Sequence, residues 1–361
     1  MATIRMGIIG TGGMANAHAG NFSRIPGVRL TACMDVVPER SEAFAEKHGV
    51  KHALTDAADV LDACDAVSIV TPDRFHVPLV LQAFKADKHV LCEKPLALTL
   101  DEAKKAARAA KKATERGLIH LVNFSHRSGA FEKTRKLMES GRLGELRYFR
   151  SAYFQGWINS TQGRHWSETE SLLWRLSKDA GSPGALGDLG VHVLDYITAL
   201  TGPIAELQCR FGVFPCPDRD GTPRETFNGM NLDANQSALL TLRRADGVLG
   251  SCDVTRLATG FGNEVIAELY GTEGAIRISQ GRWGLVFEGC LGSARHKKPP
   301  EWKPIQPTKR DNNWKAFIRG IKRGEPVQPD IVRGAEVQAY LDAAERSAAE
   351  GGKYVKVGKW M

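Results

Sequence analysis

Short apolar runs alternate with segments of helical period from residue 4 to about residue 124. Runs at 4–9, 29–34, 66–70, 89–92 and 118–124 read as strands, and 14–25, 38–48, 77–86 and 100–116 read as helices. The last helix opens with Thr99 and Glu102, three residues apart, a capping-box pattern. Helices between buried strands predict a parallel, doubly wound sheet. Beyond residue 124 the order changes. A helix at 131–140 and a strand at 146–154 precede a stretch rich in Trp, Gly and Ser from 155 to 183, and a helix follows at 185–200. Strand-like runs at 205–214, 237–242, 248–254, 265–270 and 275–278 are separated by turns such as Ala245-Asp246-Gly247, which predicts a mostly antiparallel sheet. Two helices, 313–321 and 332–348, and a short strand at 354–357 complete the chain. The expected division is a Rossmann domain over 1–124 and a second α/β domain over 125–361.

Composition agrees with two folded domains. Of 361 residues 42% are hydrophobic and 25% charged, near the globular average and without a disorder signature. No run is long and apolar enough for a membrane span, and no export signal is evident near the start. The seven cysteines form no Cys-x-x-Cys pair, so a reducing compartment, the cytoplasm, is expected. The net charge of +8 is spread over several helices and the tail, which reads as solvated surface; no nucleic-acid-binding signature accompanies it.

The first strand runs into Gly10-Thr11-Gly12-Gly13-Met14-Ala15 and then a helix. Gly10 permits the tight turn, Gly12 lets backbone approach a pyrophosphate, and Ala15 lets helix and strand pack, with the helix N-terminus facing the anion. Asp35 ends the second strand, where a carboxylate can accept hydrogen bonds from the adenosine ribose hydroxyls. A carboxylate there repels a 2′-phosphate, so NAD is favoured over NADP; Arg40 is the residue that would meet a phosphate. The strand ends Thr71-Pro72 (with His76 beyond) and Glu93-Lys94-Pro95 lie at the edge where open α/β sheets bind ligands.

With these motifs, Gly184-Ala185-Leu186-Gly187-Asp188-Leu189-Gly190-Val191-His192 resembles the Gfo/Idh/MocA family of NAD(P)-dependent sugar and polyol oxidoreductases. The resemblance extends through Trp174-Arg175 and Tyr270-Gly271-Thr272-Glu273-Gly274. It implies a sugar or polyol substrate, a large open sheet that makes a dimer or tetramer, and a catalytic set of Lys94, Asp188 and His192. It also implies a Lys94–Pro95 peptide that is often cis, a cofactor-side Asn123 and a substrate-side Arg127. The chain departs from the family at Gly181-Ser182-Pro183-Gly184, where glycines are usual.

On their own chemistry, Asp188 and His192 are four apart on a helix, so the carboxylate can orient the imidazole as a general base. Lys94 can hold alkoxide character on the reacting oxygen. Trp166 and Arg175 offer a ring face and a bidentate cation to a sugar, near Arg164 and His165. Competing readings make Lys94 a strand-end surface lysine, Asp188 and His192 a surface pair, and the tryptophans packing residues. His76 reads as a helix cap or a group packed near the nicotinamide half. No histidine spacing suggests a metal. Three functions remain open: a dehydrogenase oxidising a ring secondary hydroxyl, a redox-neutral glycoside hydrolase or lyase with tightly bound NAD, and a non-catalytic NAD-binding sensor.

Overall fold

A computed structural model describes residues 3–159 and 165–361 of the chain. It divides into two compact units. The first holds the chain through Ser125 together with Asp311–Ala339 and Lys359–Met361; the second holds His126–Arg310 and Tyr340–Gly358.

In the first unit β1 (Ile4–Ile9), α1 (Gly13–Phe22), β2 (Val28–Met34), α2 (Pro38–His48), β3 (His52–Leu54), α3 (Ala57–Asp62), β4 (Ala66–Ile69), α4 (His76–Lys85), β5 (His89–Cys92), α5 (Leu100–Glu115) and β6 (His120–Val122) follow in turn. The strands form one parallel sheet in the order β3-β2-β1-β4-β5-β6. Every residue of β4 is buried, as expected of a strand covered on both faces. The order reverses between β1 and β4, which opens a crevice at the C-terminal strand ends. The capping box of α5 is formed, Thr99 accepting from Glu102 N–H and Glu102 from Thr99 N–H.

The tail departs from the expected division. Residues 311–339, expected in the second domain, cluster with the first unit. The physical reason is the one-sided helix Asn313–Arg323, which buries Phe317 and Ile318 among Phe22, Leu30 and Leu121.

The second unit opens with α6 (Gly129–Glu139), β7 (Leu146–Phe154), the single turn α7 (Glu170–Leu173), a π-turn at Leu186–Gly190 and α8 (Val191–Thr201). After β8 (Ile204–Gly212) come two small ribbons, β9 (Cys216–Pro217) with β10 (Pro223–Arg224) and β11 (Thr226–Phe227) with β12 (Met230–Asn231). The remaining strands are β13 (Ser237–Arg244), β14 (Leu249–Thr255), β15 (Glu264–Gly271), β16 (Gly274–Gly281), β17 (Gly284–Leu291), β18 (Lys303–Pro304) and β19 (Val355–Lys356). Nine of these strands make one sheet, β18-β17-β16-β15-β7-β14-β13-β8-β19. It is antiparallel except where β7 inserts beside β14 in parallel register, Tyr148 opposite Leu249. Strict alternation marks two faces: Leu240, Leu242, Cys252 and Val254 are buried, whereas Leu239 and Leu249 are exposed on the other side.

Candidate active site

Gly10 has φ +89°, and a Cβ there would lie 2.7 Å from the Val70 carbonyl oxygen, so only glycine brings β1 this close to the end of β4. Over Gly12 and Gly13 the space is open, and Gly12 caps the ten-residue α1 without a side-chain hydrogen bond. An uncapped helix N-terminus beneath open space suits a phosphate.

The Asp35 carboxylate accepts from Thr11 N–H (3.1 Å), Thr11 Oγ1 (2.8 Å) and Val37 N–H (3.2 Å). Partial burial opposes its ionisation, but these bonds and Arg40 hold its pKa below the ordinary value. Two carboxylate oxygens have about four acceptor sites, so capacity for a ribose hydroxyl remains. Thr71 Oγ1 is buried with no protein partner, a polar atom that a bound ligand would satisfy. Met14, half exposed, stands beside the same turn; Pro72 is exposed just beyond β4. These residues fit a dinucleotide.

Glu93, His76 and Asn123, expected on the cofactor side, are bonded within the protein. Glu93 is buried and accepts from His18 Nε2 (2.9 Å), Asn123 Nδ2 (2.6 Å) and Lys94 N–H (3.2 Å). His18 is itself fully buried, its Nδ1 2.7 Å from Ser68 Oγ, and Asn123 Oδ1 accepts from Asn313. Burial raises the Glu93 pKa, but His18, Asn123 and Lys94 outweigh it and the net shift is downward. The network ties α1 to the loop that carries Lys94, whose peptide to Pro95 is cis. The buried His76 ring spans the Pro95 (2.7 Å) and Thr71 (2.9 Å) carbonyls and so braces the ends of β4 and β5. No pattern in the sequence pointed to His18 or Asn313; their partners are 75 and 190 residues away.

In the second unit, the π-turn at Leu186–Gly190 carries Asp188 into α8, which carries His192. A widened turn of this kind often marks a functional position. Gly184 has φ +67° with the Asn235 side chain packed directly against it, and Asn235 receives the Leu186 N–H on Oδ1 (3.1 Å). The segment with Pro183 is thus fastened by Asn235.

Asp188 Oδ2 accepts from Arg175 Nε (3.1 Å) and from Arg256 (3.0 Å). The Arg256 guanidinium is wholly buried and also donates to the Arg175 (2.7 Å) and Gly184 (3.2 Å) carbonyls. Arg175 stacks on Trp174 at 4.6 Å. Asp188, expected to orient His192, is therefore also the centre of a two-arginine bridge.

His192 is buried, its ring centroid 4.5 Å from that of His126 and 6.0 Å from that of Tyr153. Burial, with the Asp188 charge second, pushes the Tyr153 phenol up to about 12. Tyr153 remains a neutral donor, bonded to Asn263 Oδ1 at 3.1 Å. His126, Tyr153 and Arg256, which contact His192 or Asp188, carry no motif in the sequence.

Two residues expected on the substrate side are engaged within the protein. Arg127 makes a bidentate ion pair with Asp195 (2.8 and 2.6 Å), both side chains buried, so its guanidinium is consumed in anchoring α8. Trp166 is 1% exposed in a satellite core with Ile158, Leu176 and Leu232, its indole N–H on the Pro217 carbonyl (2.5 Å), and it lines a small pocket with Ser167, Asp218 and Phe227. Arg164 lies outside the described residues. Among the described residues no group of His, Cys, Asp or Glu side chains could hold a metal, and no helix is long and apolar enough to cross a membrane.

A crevice with an uncapped, glycine-lined helix N-terminus and an acidic group at the end of β2 defines a dinucleotide-binding oxidoreductase fold. Residues 4–120 match the family described as "Oxidoreductase family, NAD-binding Rossmann fold", and residues 131–277 match the GFO/IDH/MocA C-terminal domain. The chain is 30% identical to levoglucosan dehydrogenase of Pseudarthrobacter phenanthrenivorans, covering 97% of each chain. It is 27% identical to inositol 2-dehydrogenase of Rubrobacter xylanophilus over 96% of this chain and 92% of that one. A solved structure of levoglucosan dehydrogenase in complex with NADH and levoglucosan aligns with TM-score 0.77 at 26% identity, over 98% of this chain and 99% of that one. The chain belongs to the Gfo/Idh/MocA family. It is an oxidoreductase that carries this family's NAD-binding Rossmann fold.

Proposed function

We propose that the protein is an NAD-dependent dehydrogenase that oxidises a ring secondary hydroxyl of a sugar, anhydrosugar or inositol-like polyol to a ketone. The observation that carries this reading is the His192 imidazole, buried against His126 and Tyr153 on the helix that follows the Asp188 turn. A buried imidazole packed among aromatic rings suits a general base. In this reading His192 takes the hydroxyl proton and Asp188, fixed by Arg175 and Arg256, stabilises the charge that develops. Lys94 donates to the reacting oxygen and holds its alkoxide character, on a loop braced by Glu93 and His76. Bound NAD supplies the hydride acceptor. Asp35 favours NAD over NADP.

The test is NADH absorbance with a panel of inositols, hexoses and anhydrosugars. NADH should appear with at least one, and His192→Ala should abolish it while NADH binding, followed by fluorescence, persists. Cleavage of a glycoside without added NAD or net NADH would overturn the reading in favour of a redox-neutral enzyme.

The same reading makes the protein a cytoplasmic homo-oligomer, a dimer or tetramer, joined through the outer face of the nine-stranded sheet. Tyr148, Leu239 and Leu249 are 42%, 60% and 45% exposed there, around an Arg150–Asp253 ion pair. Light scattering should give a multiple of the chain mass, and Leu239→Glu should lower it.

A further inference from the structure

Beside His126 the second unit has a wide, solvent-open cavity of about 620 Å³ lined by His126, Gly262, Asn263, Gln280, Gly281 and Arg282. That volume is in the range of ligand sites, about 300–1,000 Å³, and accommodates a hydroxylated ring. Neither His192 nor Tyr153 lines it, but both touch its wall: the His126 ring packs edge-on against His192, and Tyr153 bonds Asn263.

Polar groups in the wall are oriented. Asn263 Oδ1 accepts from both Tyr153 Oη and Gln155 Nε2 (2.6 Å), which leaves its amide N–H groups as donors. Gln280 Nε2 donates to the His126 carbonyl (2.8 Å), which leaves its Oε1 as an acceptor. Donor and acceptor side by side match hydroxyls, each of which can give and receive a hydrogen bond.

An anion suits the cavity less well. The missing side chain at Gly281 accommodates Glu264, whose Oε2 is buried without a partner, so a carboxylate lies directly behind the lining. Two exposed aromatic side chains lie next to the lining residues in the sequence. Trp283 is 74% exposed, with the Arg282 guanidinium 5.4 Å from its ring centroid, and Phe261 is 38% exposed.

We propose that this cavity is an outer saccharide subsite, so that the preferred substrate is a glycoside of two rings, with the second ring held by Asn263, Gln280, Arg282 and Trp283. The inference rests on the dehydrogenase reading above. It is tested by NADH formation with paired substrates: glucose against cellobiose, maltose and trehalose, galactose against melibiose and lactose, and levoglucosan and myo-inositol as single-ring references. At least one two-ring sugar should exceed every single-ring compound in kcat/KM by about ten-fold, the factor that one or two added hydrogen bonds supply. Arg282→Ala and Trp283→Ala should each pull that ratio toward one. Both side chains are exposed, and circular dichroism checks that each variant is folded. Single-ring compounds that equal the two-ring sugars, or a ratio that survives both substitutions, would overturn the subsite while leaving the dehydrogenase reading standing. NADH formation from no member of the panel would overturn both.

Discussion

His18 Nε2 lies 2.9 Å from the Glu93 carboxylate in a buried pair that joins the dinucleotide helix to the residue before Lys94. Three donors converge on that carboxylate, so its charge is compensated without solvent. Replacing Glu93 with Gln should cost about 3 kcal/mol of stability, as removing one partner of a buried pair does. Because the loop it holds carries Lys94, kcat should fall more than NAD affinity. His18→Asn, which keeps a hydrogen bond, should retain more of kcat than His18→Ala. Equal losses in kcat and NAD affinity would mean that the network is only structural.

The same pair sets an acid limit. The folded pKa of Glu93 lies below the ordinary 4.5, so its stabilising contribution is complete above that value and is lost as pH falls through the depressed folded pKa. Thermal melts between about pH 3 and pH 7 should show wild type losing Tm steeply on the acid side. Glu93→Gln should start lower at neutral pH and lose less on acidification. Parallel curves for the two proteins would contradict the assignment.

Asp35 predicts cofactor choice. Its carboxylate is held by Thr11 and Val37 and repels a 2′-phosphate at that edge of β2. Asp35→Ser should raise the kcat/KM ratio of NADP to NAD by about ten-fold or more, since a like-charge juxtaposition costs more than the 1.4 kcal/mol that ten-fold represents. An unchanged ratio would show that the carboxylate does not face the ribose.

Thiol chemistry provides a check on packing. All seven cysteines are buried and free, and burial raises the thiols of Cys33, Cys64 and Cys216 to about 11. Ellman's reagent should therefore react slowly with the native protein at neutral pH and titrate seven thiols in denaturant. A thiol that reacts rapidly in the native protein would locate an opening that this packing does not allow.

Legibility followed the length and periodicity of each element. Strand β1, the glycine turn and Asp35 were readable because their spacing is local, and the 146–154 strand emerged at the observed bounds. Strand β3 and α3 were not anticipated, since three and six residues with little apolar contrast give no periodic signal. Strand β17 escaped because Leu285 and Val286 are both exposed, which breaks the alternation. The π-turn under Asp188 has no cue in a run of Gly, Leu and Asp. At the site, chemistry-bearing residues were found where a motif marked them, but their partners were not. Arg127 and Trp166 had the right chemistry for a sugar, and only packing reveals that Asp195 and a satellite core claim them. Arg256, which bonds Asp188, is a lone arginine at the end of β14 in the sequence.

Arg256 also supplies the sharpest test of the second unit. Burial lowers its pKa, Asp188 offsets part of that cost, and the guanidinium bridges two loop carbonyls as well. Arg256→Met keeps much of the volume but removes the charge and leaves the Arg175 and Gly184 carbonyls without this donor. It should cost about 3 kcal/mol, whereas Arg175→Met, at a partly exposed position, should cost about 1 kcal/mol or less. In a double-mutant cycle Arg256→Met with Asp188→Asn should show about 1–3 kcal/mol of coupling by chemical denaturation, because the two side chains share one buried contact. Additive losses would mean that Arg256 acts only through the loop carbonyls and that Asp188 is held by Arg175.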